Sequence, residues 1–233
     1  MFRFKQFTIK QDRTAMKVGT DGVLLGAWAS SSGNEESILD IGSGTGLIAI
    51  MMAQRSSAPR IVGVEIDSES AAQAAENMEL SPWDERLTVE HTSILDYSPQ
   101  HKFDLILSNP PYFVDSLLPK GESRTRARHT TELDFEGLTE SVVRLLKPVG
   151  KFALILPTNE SQIFDRTSEG RLYLERRCWV RGKVGGDVKR ILSQYSLTKP
   201  DTVAESELSI RDGSADGYHP DYRALTSEFY LKF

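Results

Sequence analysis

The sequence has a single cysteine, Cys178, and four histidines, His91, His101, His129 and His219, none at metal-ligand spacing from another. One cysteine excludes an intramolecular disulfide and a cysteine-clustered zinc site, and no structural metal is expected. Long apolar runs are also missing. Nothing approaches the roughly 20 residues that span a bilayer, and the opening MFRFKQFTIK lacks the apolar stretch of a secretory signal. The expectation is a cytoplasmic protein. No repeat or low-complexity block occurs, and 17 Gly and 10 Pro in 233 residues exclude collagen-like and wholesale disordered chains. A basic excess is absent too: 28 Lys and Arg against 33 Asp and Glu leave a net charge of −5.

That sum hides an uneven distribution. Residues 1–20 hold Arg3, Lys5, Lys10, Arg13 and Lys17 against Asp12, and residues 171–190 hold seven basic residues against Glu175 and Asp187. An acidic body with two basic segments can still present a phosphate-binding surface, although such runs also serve simply as solvated faces.

From Ser37 to Leu156, short β-rich apolar runs alternate with longer amphipathic segments, the pattern of βαβ units in a parallel sheet. Strands are expected at 37–41, 60–66, 86–91, 103–108 and 151–156, with helices near 47–56, 68–79 and 135–146. Ser68 is positioned to cap the second helix, and Lys147-Pro148-Val149-Gly150 to stop the third. Before this core, Phe2, Phe4, Phe7 and Ile9 point to a strand or hairpin, followed by an apolar helix over 22–29 and a linker over 30–36. After it, residues 175–184, 188–197, 205–210 and 228–233 read as strands. The connection 109–131 is long for a βα loop, a feature of functional segments.

Asp40-Ile41-Gly42-Ser43-Gly44-Thr45-Gly46 lies between a strand and a helix, where glycines allow a tight turn and the helix N-terminus offers free N–H groups. From Gly42 the sixth position is Leu47, so the dinucleotide spacing G-x-G-x-x-G is not met and NAD is disfavoured. Glu65 ends the next strand 19 residues beyond Gly46, where an acid accepts ribose hydroxyls, while Asp67 caps the following helix. Ser93 ends the third strand beside the expected adenine position, with Ile66 and Ile94 against the faces of the ring; a structural turn is an equal reading of Ser93. After the fourth strand comes Asn109-Pro110-Pro111-Tyr112. Two prolines remove two N–H donors and stiffen the backbone, so the Asn109 side-chain oxygen and the Pro110 carbonyl are free to accept from a planar amine, with Tyr112 as a stacking ring. A capped Pro-Pro turn is the plain alternative.

In that order and on those elements, the glycine turn, Glu65 and the Asn-Pro-Pro-Tyr tetrad resemble class I S-adenosylmethionine-dependent methyltransferases acting on planar amino groups. The whole chain is similar to the bacterial tRNA(Val) adenine-37 N6-methyltransferases. That likeness is carried by Phe4-Lys5-Gln6-Phe7-Thr8, by the run from Ala15 to Trp28, by Arg124 and Ala127-Arg128-His129, and by Phe229-Tyr230-Leu231-Lys232-Phe233. Ser93 stands where many relatives place an acid. The resemblance implies a Rossmann-like α/β fold with a mostly parallel seven-stranded sheet and helices on both faces. It further implies one domain over 1–233, in which 1–36 cap the site and 37–233 form the catalytic core. S-adenosylmethionine is the implied cofactor, held by Lys17, Thr20, Asp21, Gly22, Asp40, Gly42, Gly44, Gly46, Glu65, Ile66, Ser93, Ile94 and Asn109. The methyl group would pass to the N6 of an adenine in tRNA at Asn109, Pro110, Pro111 and Tyr112. Phosphate contacts are expected from Arg124, Arg126, Arg128, Arg177, Arg181, Lys183 and Arg190. The oligomeric state stays open, with a monomer as default. Alternatives are a protein-glutamine N5-methyltransferase or an rRNA guanine-N2 methyltransferase, which share the tetrad, and a noncatalytic nucleotide-binding module, which explains only the glycines.

Overall fold

A computed structural model describes residues 1–14, 16–110, 133–214 and 217–232. Two residue pairs form a small antiparallel hairpin, β1 (Phe2–Arg3) and β2 (Thr8–Ile9). The central sheet contains β3 (Ser37–Ile41), β4 (Arg60–Glu65), β5 (Leu87–His91), β6 (Phe103–Ser108), β7 (Leu146–Leu156), β8 (Tyr173–Lys183), β9 (Val188–Ser196) and β10 (Ala204–Arg211). Their order is β10-β8-β9-β7-β6-β3-β4-β5, and within this sheet β9 alone runs antiparallel to its neighbours. The sheet therefore has eight strands rather than seven, because Ala204–Arg211 adds a parallel strand outside β8.

The helices are α1 (Thr20–Trp28), α2 (Leu47–Arg55), α3 (Ser68–Glu79), α4 (Phe135–Leu145), α5 (Thr158–Ser168) and α6 (Pro220–Thr226). None among the described residues is long and apolar enough to cross a membrane. Strand alternation divides the interior into two cores, one on each face, as a parallel sheet covered by helices requires. Ile38, Ile61, Leu105, Leu107, Ala153 and Ile155 join the core under α1 and α2. Leu39, Ile41, Val62, Val64, Ile106 and Leu154 join the one under α4 and α5. The α3 N-terminus is capped by Asp67, whose side chain accepts the Ser70 N–H at 2.8 Å.

Three expectations need correction. Strand β7 begins at Leu146, immediately after α4, so Lys147-Pro148-Val149-Gly150 belongs to the strand, with a register shift between Phe103 and Leu105 on β6. Residues 158–168 form a helix that the sequence pattern did not reveal. The described part of 228–233 is not a strand. Phe229 is buried, Tyr230 packs on Phe2 and Phe4, and Lys5 N–H donates to the Phe229 carbonyl at 2.9 Å, so the alternating aromatics serve packing rather than pairing.

Candidate active site

The turn from β3 to α2 depends on three glycines with φ of 71° at Gly42, 53° at Gly44 and 79° at Gly46, values that side chains with a Cβ rarely adopt. The N–H groups of Gly42 and Ser43 donate to the Val64 carbonyl, fixing the turn to β4. Glu65, 9% exposed, accepts the Gly44 N–H on Oε2 at 2.8 Å and the Asp67 N–H on Oε1 at 3.0 Å. Its position at the strand end and its remaining lone pairs suit a pair of ribose hydroxyls. Gly63 is a contributor that spacing alone did not single out: a Cβ there would lie 2.8 Å from Ser43 Oγ, so β4 admits the turn only by lacking a side chain.

Asp40 is fully buried, and its Oδ2 accepts the Ala49 N–H in the first turn of α2 at 3.2 Å. Burial, with a smaller contribution from the charge of Glu65, pushes its carboxyl up to about 7. Among the described residues, Asp40 Oδ1, Ser43 Oγ and Asn109 Oδ1 are buried acceptors without a hydrogen-bond partner. Native proteins seldom leave such atoms unpaired, and here they cluster at the carboxyl ends of adjacent strands, where α/β sheets bind ligands. The ammonium and carboxylate of an amino-acid group, together with a second amine, would satisfy them. The residues present thus fit the cofactor implied by the resemblance.

Strand β3 pairs Ile41 with Val64 on one side and Ser108 on the other. Glu65 and Asn109 therefore stand one residue beyond matched positions on the two strands flanking β3, roughly 10 Å apart at two strand spacings. Ser108 Oγ donates to the Ile41 carbonyl at 3.0 Å and anchors the end of β6. Pro110 is buried, whereas Pro111, Tyr112, Arg124, Arg126 and Arg128 lie outside the described residues.

Other expected site residues have local duties. Ser93 Oγ accepts the Leu95 N–H at 3.3 Å, which favours its turn reading. Ile66 is exposed at the end of β4, while Ile94 is buried in the core under α4. Gly22 is buried where a Cβ would meet Leu47 at 3.2 Å, so close approach of α1 to α2 explains it. Thr20 is exposed at the start of α1, and Lys17 Nζ bonds the carbonyls of Gln11 and Thr14. Asp21, expected at the cofactor, and Arg190, expected at RNA, pair with each other at 2.7 Å.

Residues of the basic segment also have partners within the fold. Arg177 grips both oxygens of Asp165 at 2.8 and 2.7 Å, and the same carboxylate accepts from the Tyr195 hydroxyl at 2.6 Å. Arg181 pairs with Glu207 and donates to the Gly186 carbonyl at 2.7 Å. Lys183 is exposed at the end of β8. Buried polar groups elsewhere also escaped the sequence reading. The Asn77 side chain donates to the carbonyls of Lys10 and Thr45 and accepts the Lys10 N–H, fastening the N-terminal segment to the glycine turn.

The family model Methyltransferase small domain matches residues 18–121. Relatives named tRNA1(Val) (adenine(37)-N6)-methyltransferase include one from Bacteroides thetaiotaomicron, 46% identical over 99% of this chain and 97% of its own. Another, from Tolumonas auensis, is 46% identical over the same shares. Among solved structures, a predicted O-methyltransferase from Agrobacterium tumefaciens superposes with a TM-score of 0.70 at 18% identity, covering 90% of this chain and 96% of that one. The glycopeptide N-methyltransferase MtfA, complexed with S-adenosyl-L-homocysteine, gives 0.57 at 13% identity over 78% and 92%. Those structures share the fold, and the near-complete alignments at almost half identity go further: this chain belongs to the tRNA1(Val) (adenine(37)-N6)-methyltransferase family.

Proposed function

We propose that this protein transfers a methyl group from S-adenosylmethionine to the N6 of an adenine in tRNA, at position 37 of tRNA(Val). The observation that carries the chemistry is the buried, unpartnered Oδ1 of Asn109, one strand from the glycine turn and two from Glu65. When bound, the cofactor supplies a methyl group on a positively charged sulfur, already a good electrophile. Glu65 would hold the ribose hydroxyls, and Asp40 and Ser43 would face the methionine end. Asn109 Oδ1 and the Pro110 carbonyl would accept from the adenine amine, aiming its lone pair at the methyl carbon. Positioning reacting atoms at roughly 3–3.5 Å supplies most of the acceleration. No strong base is required, because the amine proton leaves to water once the new bond forms.

The Asp104 carboxylate stays out of this scheme. Burial pushes it up, but Lys147 and the N–H groups of Ser37 and Glu36 hold it below the usual carboxylate range, and those contacts lock the start of β3. Tyr112 is the proposed stacking platform for an adenine lifted from an RNA loop. The basic segment does not by itself distinguish an RNA from a protein-glutamine substrate, because Arg177, Arg181 and Arg190 are ion-paired within the fold. Support for tRNA comes instead from the names of relatives such as those from Bacteroides thetaiotaomicron and Phocaeicola vulgatus. Cytoplasmic action, a monomeric working unit and a role for residues 1–36 as a cap belong to the same proposal.

Single-turnover methylation of an unmodified tRNA(Val) transcript, followed by nucleoside mass spectrometry, tests it. N6-methyladenosine at position 37 is expected. N2-methylguanosine, or methylation only of protein glutamine, overturns the reading.

A further inference from the structure

A cavity of about 380 Å³ takes no part in the scheme above. Phe2, Tyr218, Tyr222 and Tyr230 wall it, with Arg211 and Lys232 alongside them. The Tyr218 and Tyr222 rings stack with centroids 5.5 Å apart and planes 18° from parallel, and the Arg211 guanidinium lies 4.2 Å above Tyr218. Elsewhere on this edge cations meet carboxylates, but no acidic residue is among the described residues lining the cavity. The volume falls in the roughly 300–1,000 Å³ range of small-molecule sites, enough for a nucleobase with its sugar.

Its place in the fold ties it to the catalytic edge. Gly182 near the end of β8, and Ile210 and Arg211 at the end of β10, line it. Both strands run parallel to β4 and β6, so the cavity opens at the edge where Glu65 and Asn109 stand. Thr20 lines it too, and two residues further along α1, Gly22 abuts Leu47 beside the glycine turn. Along the sheet, β8 and β10 lie three and four strand spacings from β6, roughly 14–19 Å. That is on the order of four to six stacked nucleotides at 3.4 Å each.

We propose that this cavity receives a second nucleotide of the tRNA substrate, unstacked and several positions from the methylated adenine. RNA-binding proteins hold splayed bases on aromatic rings and guanidinium planes, and they meet the adjoining phosphate with Arg or Lys. The tyrosine wall supplies the rings, Arg211 the guanidinium plane, and Lys232 a cation for the phosphate. This proposal rests on the tRNA reading above and adds the site that would fix the register of the anticodon arm across the sheet.

The test measures binding of an unmodified tRNA transcript by fluorescence anisotropy at several salt concentrations, without methyl donor, for wild type, Arg211→Gln, Lys232→Glu and Tyr218→Leu. Calorimetry of S-adenosylmethionine binding accompanies it. Arg211→Gln is expected to weaken tRNA binding about tenfold through lost stacking, and Lys232→Glu to weaken it and to reduce the salt slope by roughly one or more. Cofactor affinity and the single-turnover rate at saturating tRNA stay at wild-type values. Should Tyr218→Leu melt early, Arg211→Gln and Lys232→Glu, which change side chains at the cavity without removing a ring, decide the matter. Wild-type tRNA affinity in both overturns the proposal. So does tight binding of free AMP that depends on Arg211 while tRNA affinity is unaffected, since the site would then serve a free nucleotide. If wild type binds tRNA in an Arg211-dependent way but methylates none, the cavity proposal stands and the catalytic reading fails.

Discussion

The two halves of the sheet treat most of their polar groups differently. Around β3, β4 and β6, acceptors on Asp40, Ser43 and Asn109 are buried and left without partners. Around β8, β9 and β10, which are richer in charge, Arg177, Arg181 and Arg190 each meet an acid. A fold that can saturate a guanidinium with a carboxylate, a backbone carbonyl and a neighbouring ring has the means to saturate a serine. Where three unpaired acceptors converge on neighbouring strand ends they mark the place kept for a ligand, unlike the lone Nε of Arg176 on β8 and Oε1 of Gln54 on α2, which stand apart from any such cluster.

The sharpest way to break this contrast is Arg177→Glu. Its Nη2 donates to both oxygens of Asp165 from a side chain only 11% exposed, so reversal sets two acids against each other beside Tyr195. A loss of about 3–5 kcal/mol is expected, typical of breaking a buried pair, which lowers the melting midpoint by roughly 10 °C or more. If the variant melts like wild type and fails to bind tRNA, the edge is an RNA surface and the contrast is wrong. Next comes Asn109→Ala, which removes one positioned acceptor. Turnover should fall by about 10²–10³-fold with cofactor affinity and melting temperature unchanged. A wild-type single-turnover rate would take Asn109 out of the reaction.

A smaller effect comes from Asp40. Its folded value near 7 lies above that of an unfolded aspartate, so the stability contributed by its protonated form is complete below about pH 4 and is lost as pH rises towards 7. The cofactor-free protein should lose about 1.4 kcal/mol per pH unit across that window relative to Asp40→Asn, then level off. An ammonium at Oδ1 favours the charged carboxylate, so S-adenosylmethionine affinity should climb up to about tenfold per unit towards pH 7 and flatten above it. Parallel calorimetric titrations of wild type and Asp40→Asn from pH 5.5 to 8.5 would show this, and identical slopes would dismiss it. The smallest effect is Lys183→Glu. This exposed side chain near the cavity should weaken tRNA binding by a few-fold at low salt and by less at high salt. An effect independent of salt would mean that the substitution acts through the fold.

Much of the first half was legible in the sequence because its constraints are local. The glycine turn needs positive φ at fixed spacing, an apolar strand must precede it, and an acid must end the next strand. The start of α3 followed from a short-range cap at Asp67, whereas the stop expected at 147–150 did not hold because those residues are in β7. The edge half resisted because its partners lie far apart along the chain. Nothing near Arg190 in sequence reveals Asp21, and nothing near Phe229 reveals Lys5. Charge runs record which side chains are present but not whom they meet. Helix α5 escaped for a related reason: its buried residues Ser161, Phe164 and Ser168 are mostly small and polar, which leaves little apolar periodicity to read.

The hairpin β1–β2 has a consequence in time rather than in space. Its Phe4 packs on Tyr230, and Lys5 bonds the carbonyls of Ser227 and Phe229, so these residues wait for partners more than 220 positions further along the chain. At about 5–20 residues per second, that delay is roughly 10–45 s. The hydrogen bonds of the glycine turn itself need no such wait, since Val64, Glu65 and Asn77, which hold it, all lie within the first 77 residues. Phe2 from one end and Tyr230 and Lys232 from the other close the aromatic cavity together. A chain cut before Tyr230 therefore keeps the residues of its cofactor turn while that cavity misses a wall, and Phe2 and Phe4 are left in water.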